Sequence, residues 1–161
     1  GFMVGTDSEK NGIIKHGSKL IQAVANANVA KISILIGGSY GAGNYAMCGR
    51  GLDPRFIFSW PNSKTAVMGG EQAGKVLRIV TEEKMAKLGQ PIDEEKLNQL
   101  EQMTTAKLNA GSTAIFGTAR LWDDGLIDPR DTRPLLANLL DICWQEKHRS
   151  LSASNFGVAR F

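Results

Sequence analysis

The segment ILIGGSYGAGNYAMCGR, Ile34 to Arg50, constrains this chain more than any other. Five glycines fall within the thirteen residues Gly37 to Gly49, directly after the apolar run KISILI. Glycine loses more conformational freedom on folding than any other residue, so a cluster beside a strand requires a geometric reason. Either backbones pack very closely there or the backbone amides approach a ligand, and three readings are open. A phosphate-cradling loop needs a lysine and hydroxyl pair or the spacing of a dinucleotide fingerprint, and the segment delivers neither. Close packing of a helix on a sheet accounts for Gly37 and Gly38 but less well for the small residues at the helix entry. An oxyanion hole accounts for Gly41, Ala42 and Gly43, because the first turn of a helix carries free N–H groups. Small residues there let a developing negative oxygen reach two adjacent amides.

The stretch AVMGGEQAG, Ala66 to Gly74, repeats the device: a short strand runs into Gly69-Gly70 and then a helix with Glu71 near its start. Two such junctions suggest two amide-lined walls of one cleft, with Met68, Gly69 and Gly70 on the second. Taken alone, this second junction is read more simply as helix packing.

The surrounding chain limits the function classes. A formal net charge of +3, with lysines and arginines scattered among acidic residues, gives no footprint for nucleic acid. No run reaches the length of a membrane span. The cysteines, Cys48 and Cys143, have no metal-ligand spacing and suit a reducing compartment. The opening GFMVGTDSEKNG reads as a chain entered inside a strand at Phe2 to Val4, followed by a loop from Thr6 to Asn11. The closing SASNFGVARF reads as an extended tail in need of a partner surface. Both ends suggest a piece of a longer polypeptide.

Ile13, Ile14, Gly17, Leu20, Ile21 and Val24 recur at helical spacing and predict an amphipathic helix. Lys31 to Ile36 predicts a buried strand, and Gly41 to Gly49 a helix entered through the glycine loop. Two strands, Phe56 to Ser59 and Thr65 to Met68, follow, joined by a turn at Pro61-Asn62, then a helix over about Glu71 to Lys87. Residues 88–118 read as a peripheral helical segment: Pro91 breaks the preceding helix and Asp93 caps the next, while Gly111 to Gly117 is open between helix and loop. Asp124-Gly125 marks a turn, Leu126-Ile127 a very short strand, and Asp131 or Thr132 the start of a closing helix through Leu135, Leu136, Leu139, Leu140 and Cys143. The class is α/β, and strand–strand–helix succession fits a coiled β-β-α arrangement better than a doubly wound sheet.

No side-chain constellation competes with the amides. His16 and His148 sit among polar or basic residues, and no nearby serine or cysteine forms a convincing nucleophile pair with either. Cys48 is open between a thiol activated at a helix start and a small packed residue. Asp123-Asp124 is open between paired carboxylates and an Asp-Gly turn. Trp60, Trp122 and Trp144 read as packing anchors.

Three separated motifs, IGGSYGAGNYAMCGR, PRFIFSWPNSKTAVMGGEQA and ARLWDDGLIDPRDTR, resemble the carboxyltransferase (β) subunits of biotin-dependent acyl-CoA carboxylases, of the 3-methylcrotonyl-CoA and geranyl-CoA carboxylase type. The likeness runs over nearly the whole chain, and GNYAMCGRGLDPRFIF looks slightly more like the geranyl-CoA type. The resemblance implies a crotonase-like β-β-α superhelix, with residues 1–161 forming most of the C-terminal carboxyltransferase domain and the N-terminal domain absent. It implies active sites between the N-terminal domain of one subunit and the C-terminal domain of another, in a homo-oligomer served by a biotin-carrying α subunit. No membrane and no nucleic acid partner is implied. The compartment is the cytoplasm in bacteria or the mitochondrial matrix in eukaryotes.

The implied chemistry transfers a carboxyl group from carboxybiotin to the γ carbon, or its branch, of a branched 2-enoyl-CoA. Negative charge develops on the biotin ureido oxygen, and biotin itself can serve as the base. Ala42 and Gly43 would supply the amide donors and Gly41 the clearance. Tyr45 would line the acyl pocket, with Tyr40 and Asn44 as neighbouring wall, and no metal site is implied. A decarboxylase or hydratase of the wider crotonase group is the alternative, with Glu71 the only tempting base. A catalytically silent assembly module is the non-enzymatic one.

Overall fold

A computed structural model describes residues 2–3, 5–146 and 157. Four short strands carry the architecture: β1 (Ile32–Leu35), β2 (Gly38–Tyr40), β3 (Phe56–Ser59) and β4 (Lys64–Ala66). β1 pairs with β3 in parallel, from Ile32 opposite Phe56 to Leu35 opposite Ser59. β2 pairs with β4 in parallel, from Gly38 opposite Lys64 to Tyr40 opposite Ala66. Each turn of the chain thus lays one strand on each of two sheets and then enters a helix. A third turn begins where Leu126 bridges in parallel to Ser59. This is the coiled β-β-α layout expected from the strand–strand–helix order.

The register corrects one expectation. β3 and β4 lie close in sequence but do not pair with each other; a turn closed by Ser63 N–H donating to Trp60 O (2.9 Å) carries the chain from one sheet to the other. β4 also begins one residue earlier than Thr65 and ends at Ala66, short of Met68. β2 falls inside the segment read as a glycine loop. Its Gly-Ser-Tyr sequence has no strand signature of its own and is extended because β4 pairs with it.

Helices α1 (Thr6–Lys10), α2 (Ile13–Asn26), α3 (Gly41–Ala46) and α4 (Gly70–Lys87) are followed by α5 (Glu94–Gly111), α6 (Ala114–Thr118) and α7 (Thr132–Glu146). α1 replaces the loop expected over Thr6 to Asn11; it is a single polar turn closed by Glu9 N–H to Gly5 O and Asn11 N–H to Asp7 O. Phe2 and Met3 are not in a strand, and Val4 lies outside the described residues. Phe2 instead lays its ring against α2 at Gly17. α3 ends at Ala46 rather than Gly49, because the chain turns through Cys48 at φ 62 into a 3-10 turn at Arg50–Leu52. Asp93 caps α5 by accepting from Lys96 N–H at 3.2 Å. The open stretch Gly111 to Gly117 divides: α5 stops at Gly111, and Thr113 Oγ1 accepts from Phe116 N–H (3.3 Å) to start α6. The tail read as extended lies outside the described residues apart from Gly157, whose N–H donates to Asn26 Oδ1 at 3.0 Å.

Ala46, Leu52, Ile57, Ala114, Leu97 and Leu139 are buried. The rest of the apolar surface is unevenly covered. β1 is half-buried along its length rather than fully buried, because β3 is its only partner among the described residues. Ile14 is 75% exposed, and Val76, Ile79 and Val80 on α4 and Leu140 and Ile142 on α7 are also exposed. Trp60 anchors α7 by donating from Nε1 to Thr132 Oγ1 at 3.0 Å, and Trp122 meets Phe116 edge-on. Trp144, expected as a packing anchor, is 64% exposed.

α4 and α5 lie antiparallel, with Gly70 beside Thr105 and Asn109, Gly74 beside Glu101 and Thr105, and Arg78 bridging to Glu94, Asn98 and Glu101. A Cβ on Gly70 would stand 2.8 Å from Thr105 O and 2.6 Å from Asn109 Oδ1. The amide can swing away; the helix carbonyl cannot. Gly70→Ala is therefore expected to cost about 1–3 kcal/mol, read as a lower denaturation midpoint. An unchanged midpoint would mean that α5 does not lie this close to α4.

Candidate functional site

β2 delivers Tyr40 in extended conformation, and Gly41 then turns the chain at φ +52 into α3. A Cβ at Gly41 would sit 2.9 Å from Val67 O. The backbone conformation and the close approach both demand glycine. Since Tyr40 is opposite Ala66, that contact places the two glycine junctions side by side, as the repeated pattern suggests.

The N–H groups of Ala42 and Gly43 belong to the first turn of α3, where no intrahelical acceptor exists. Among the described residues they make no hydrogen bond, and Tyr40 offers no side-chain cap. Ala42 is exposed and Gly43 half-buried. α3 has only six residues, too short for a large macrodipole, so the direct donors carry any attraction for an anion. Asn44 and Tyr45 follow on the same turn, both half-buried. Asn44 also lines a small pocket with Ser59, Thr65 and Asp123.

At the second junction Met68 is 39% exposed on the surface. Gly69 is half-buried at the entry to α4, and Gly70 is buried against α5. Gly41 therefore meets this junction through Val67, which sequence reasoning passed over.

A second group was also missed. Ala42 borders a groove of about 450 Å³ whose other walls include Phe2, Met3, Ile13, Gly17 and Ile21. The α2 stripe reads from sequence as one face of an amphipathic helix, and periodicity alone does not distinguish a core from a cleft wall.

The side-chain candidates are otherwise engaged. Cys48 is buried and its thiol is pushed above the ordinary value by desolvation, opposed by nearby Lys31 and the Ser33 hydroxyl. It is a packed neutral thiol, not an activated one. Asp123 is buried and accepts from Thr118 Oγ1 at 2.8 and 3.0 Å. Asp124 accepts from Ile57 N–H (2.8 Å) and pairs with Arg50, tying the Asp-Gly turn to β3. Glu71 lines the α4–α5 groove with Lys75, Asn98 and Glu101 and is not among the residues that line the groove at Ala42. His16 is exposed on α2, and His148 lies outside the described residues.

Known proteins show the same frame. The chain is 46% identical over 160 residues to the biotin-dependent 3-methylcrotonyl-coenzyme A carboxylase β1 subunit of Mycobacterium tuberculosis, covering 99% of this chain and 30% of that protein. It is 51% identical over 136 residues to a probable mitochondrial methylcrotonoyl-CoA carboxylase β chain of Drosophila melanogaster, covering 84% of this chain and 24% of the relative. The crystal structure of the geranyl-CoA carboxylase β subunit of P. aeruginosa superposes with a TM-score of 0.86 at 67% identity, over all of this chain and 30% of that one. The chain thus spans less than a third of the length of these relatives. The description "Carboxyl transferase domain" matches residues 1–159, and with the shared coil and these relatives it places the chain in the carboxyl transferase domain family.

Proposed function

We propose that this chain forms the biotin-facing wall of a carboxyltransferase site that moves a carboxyl group from carboxybiotin to the γ position of a branched 2-enoyl-CoA, 3-methylcrotonyl-CoA or geranyl-CoA. The observation that carries the reading is the pair of open amides at Ala42 and Gly43, presented by a glycine that no other residue replaces without strain. Carboxybiotin, when bound, supplies the carboxyl group and a ureido oxygen that becomes negative and basic as the group leaves.

The residues here fit that group. Two adjacent N–H donors stand in the first turn of α3, Gly43 has no side chain to block approach, and Ala42 brings only a methyl. Each such donor is worth about 3 kcal/mol of barrier when it meets charge that develops only in the transition state. The largely apolar groove beside Ala42 gives the site one low-polarity flank. A side-chain base is not needed, which agrees with the engagement of Asp123, Asp124 and Cys48 elsewhere. Tyr40, Asn44 and Tyr45, with Met68 and Gly69, form the surrounding wall.

The partners in this reading are an N-terminal carboxyltransferase domain from the same and a neighbouring subunit, and a biotin-carrying α subunit. The exposed apolar residues of α2, α4 and α7 support burial against further protein. No helix among the described residues is long and apolar enough to cross a membrane. The site of action in this reading is the bacterial cytoplasm or the mitochondrial matrix.

The test is ATP- and bicarbonate-dependent carboxylation of geranyl-CoA and 3-methylcrotonyl-CoA by the full-length protein assembled with its biotin-carrying partner. Avidin-sensitive turnover of either supports the reading. The identity of 67% to the geranyl-CoA carboxylase subunit, against 46% and 51% to the methylcrotonyl-type relatives, puts geranyl-CoA first. Silence on both in an assembled complex overturns it in favour of another acyl-CoA or a decarboxylase.

A further inference from the structure

We propose that Ser39 and Asn44 form a clamp that aims the Ala42 and Gly43 amides; this positioning role rests on the carboxyltransferase reading above. Ser39 Oγ donates to Asn44 Oδ1 at 3.0 Å, and both residues are half-buried. Ser39 immediately precedes the N-cap Tyr40, and Asn44 is the fourth residue of α3. A contact between these two positions is the one that fixes the angle at which a chain enters a helix, usually through an apolar pair. Here the pair is a directional hydrogen bond, and it spans Gly41, the most conformationally free residue of the turn.

The hydroxyl is not spent where a serine beside a helix start usually spends it. Such an oxygen commonly accepts from N–H groups of the first turn. Ser39 gives its proton to Asn44 instead, no side chain caps α3, and the Ala42 and Gly43 N–H groups stay open. Asn44 is held from behind as well. Its carbonyl accepts from Gly49 N–H at 2.8 Å, and a Cβ at Gly49 would stand 2.8 Å from that oxygen and 2.9 Å from Oδ1. The side chain of Asn44 is thus braced between Ser39 and the bare backbone of Gly49.

Aim matters because hydrogen bonds weaken steeply as they bend and a small misplacement of a catalytic group is costly. A helix of six residues has little dipole to compensate for misdirected donors.

The experiment compares Ser39→Ala, Ser39→Thr, Asn44→Ala and the Ser39→Ala/Asn44→Ala double variant in the full-length protein with its biotin-carrying partner. Two readouts are taken: kcat and KM for geranyl-CoA or 3-methylcrotonyl-CoA, and hydrogen exchange at Met47, whose N–H donates to Gly43 O. Ser39→Ala is expected to lower kcat about ten- to a hundredfold with KM for the acyl-CoA changed less than about twofold. Exchange at Met47 should rise, Ser39→Thr should restore both readouts, and the double variant should be no worse than the poorer single one. Unchanged exchange and unchanged kcat in Ser39→Ala overturn the clamp and leave the amide reading standing. Faster exchange with unchanged kcat overturns both, because the turn would then loosen without consequence for carboxyl transfer. Multiplying effects of the two single variants also overturn the clamp, since its members would be acting separately.

Discussion

Ala42→Pro is expected to lower kcat for carboxyl transfer about 10²–10³-fold, or about 3–4 kcal/mol of barrier. The substitution removes one N–H and also restricts Gly41, the residue before it, so the fold has to be checked alongside the activity. Proline is tolerated in the first turn of a helix, where its missing N–H has no intrahelical acceptor and its fixed φ suits the helix. Ala42 is exposed, so the ring meets no buried neighbour. Circular dichroism and the oligomeric state should match those of the parent protein, which separates a lost donor from a lost fold. The partial reaction that loads biotin at the carboxylase site should continue, because it does not use these amides. A folded, assembled variant that still transfers carboxyl groups would show that Ala42 N–H is not an oxyanion donor.

Gly41→Ala is expected to damage both stability and activity. The left-handed conformation costs an L-residue about 1–2 kcal/mol. The new methyl would also stand 2.9 Å from Val67 O, a backbone atom of the neighbouring strand end. Crowding of that kind adds about 1–3 kcal/mol. The turn relieves the strain only by moving α3 relative to Val67, and a shift of about 1 Å in the amides lowers kcat about a hundredfold. Gly41→Asn separates the two contributions, because asparagine tolerates positive φ while still carrying a Cβ. If unfolding measurements place Gly41→Asn with Gly41→Ala, the contact with Val67 dominates; if it approaches the parent, the backbone conformation dominates. Wild-type stability and activity in both variants would show that Gly41 is not held at positive φ against Val67.

Much of the local structure was legible in the residues. The apolar stripe of α2, the strand at Phe56 to Ser59 and the cap at Asp93 each depend on neighbours within a turn or two of chain. α3 was legible in its start but not its end, because its exit depends on Cys48 taking a left-handed conformation. α1 was missed because five polar residues carry no stripe. At the site, Gly41, Ala42 and Gly43 stood out because a cost in glycine entropy beside a strand demanded a reason. Val67 and the α2 wall of the groove did not, since nothing local separates a residue facing a cleft from one facing the core.

The sequence by itself determined the α/β class, most of the longer helices, the strand at Phe56 to Ser59, and that two glycine junctions lead from strands into helices. The tertiary structure decided that β3 and β4 part company, that Gly-Ser-Tyr becomes a strand, that Gly41 meets Val67, and that Gly70 turns to α5. The physical reason is the same in each case. Parallel pairing and helix–helix contact join residues far apart in the chain, and the atoms that make a position possible or impossible belong to a neighbour whose place only the folded coil defines.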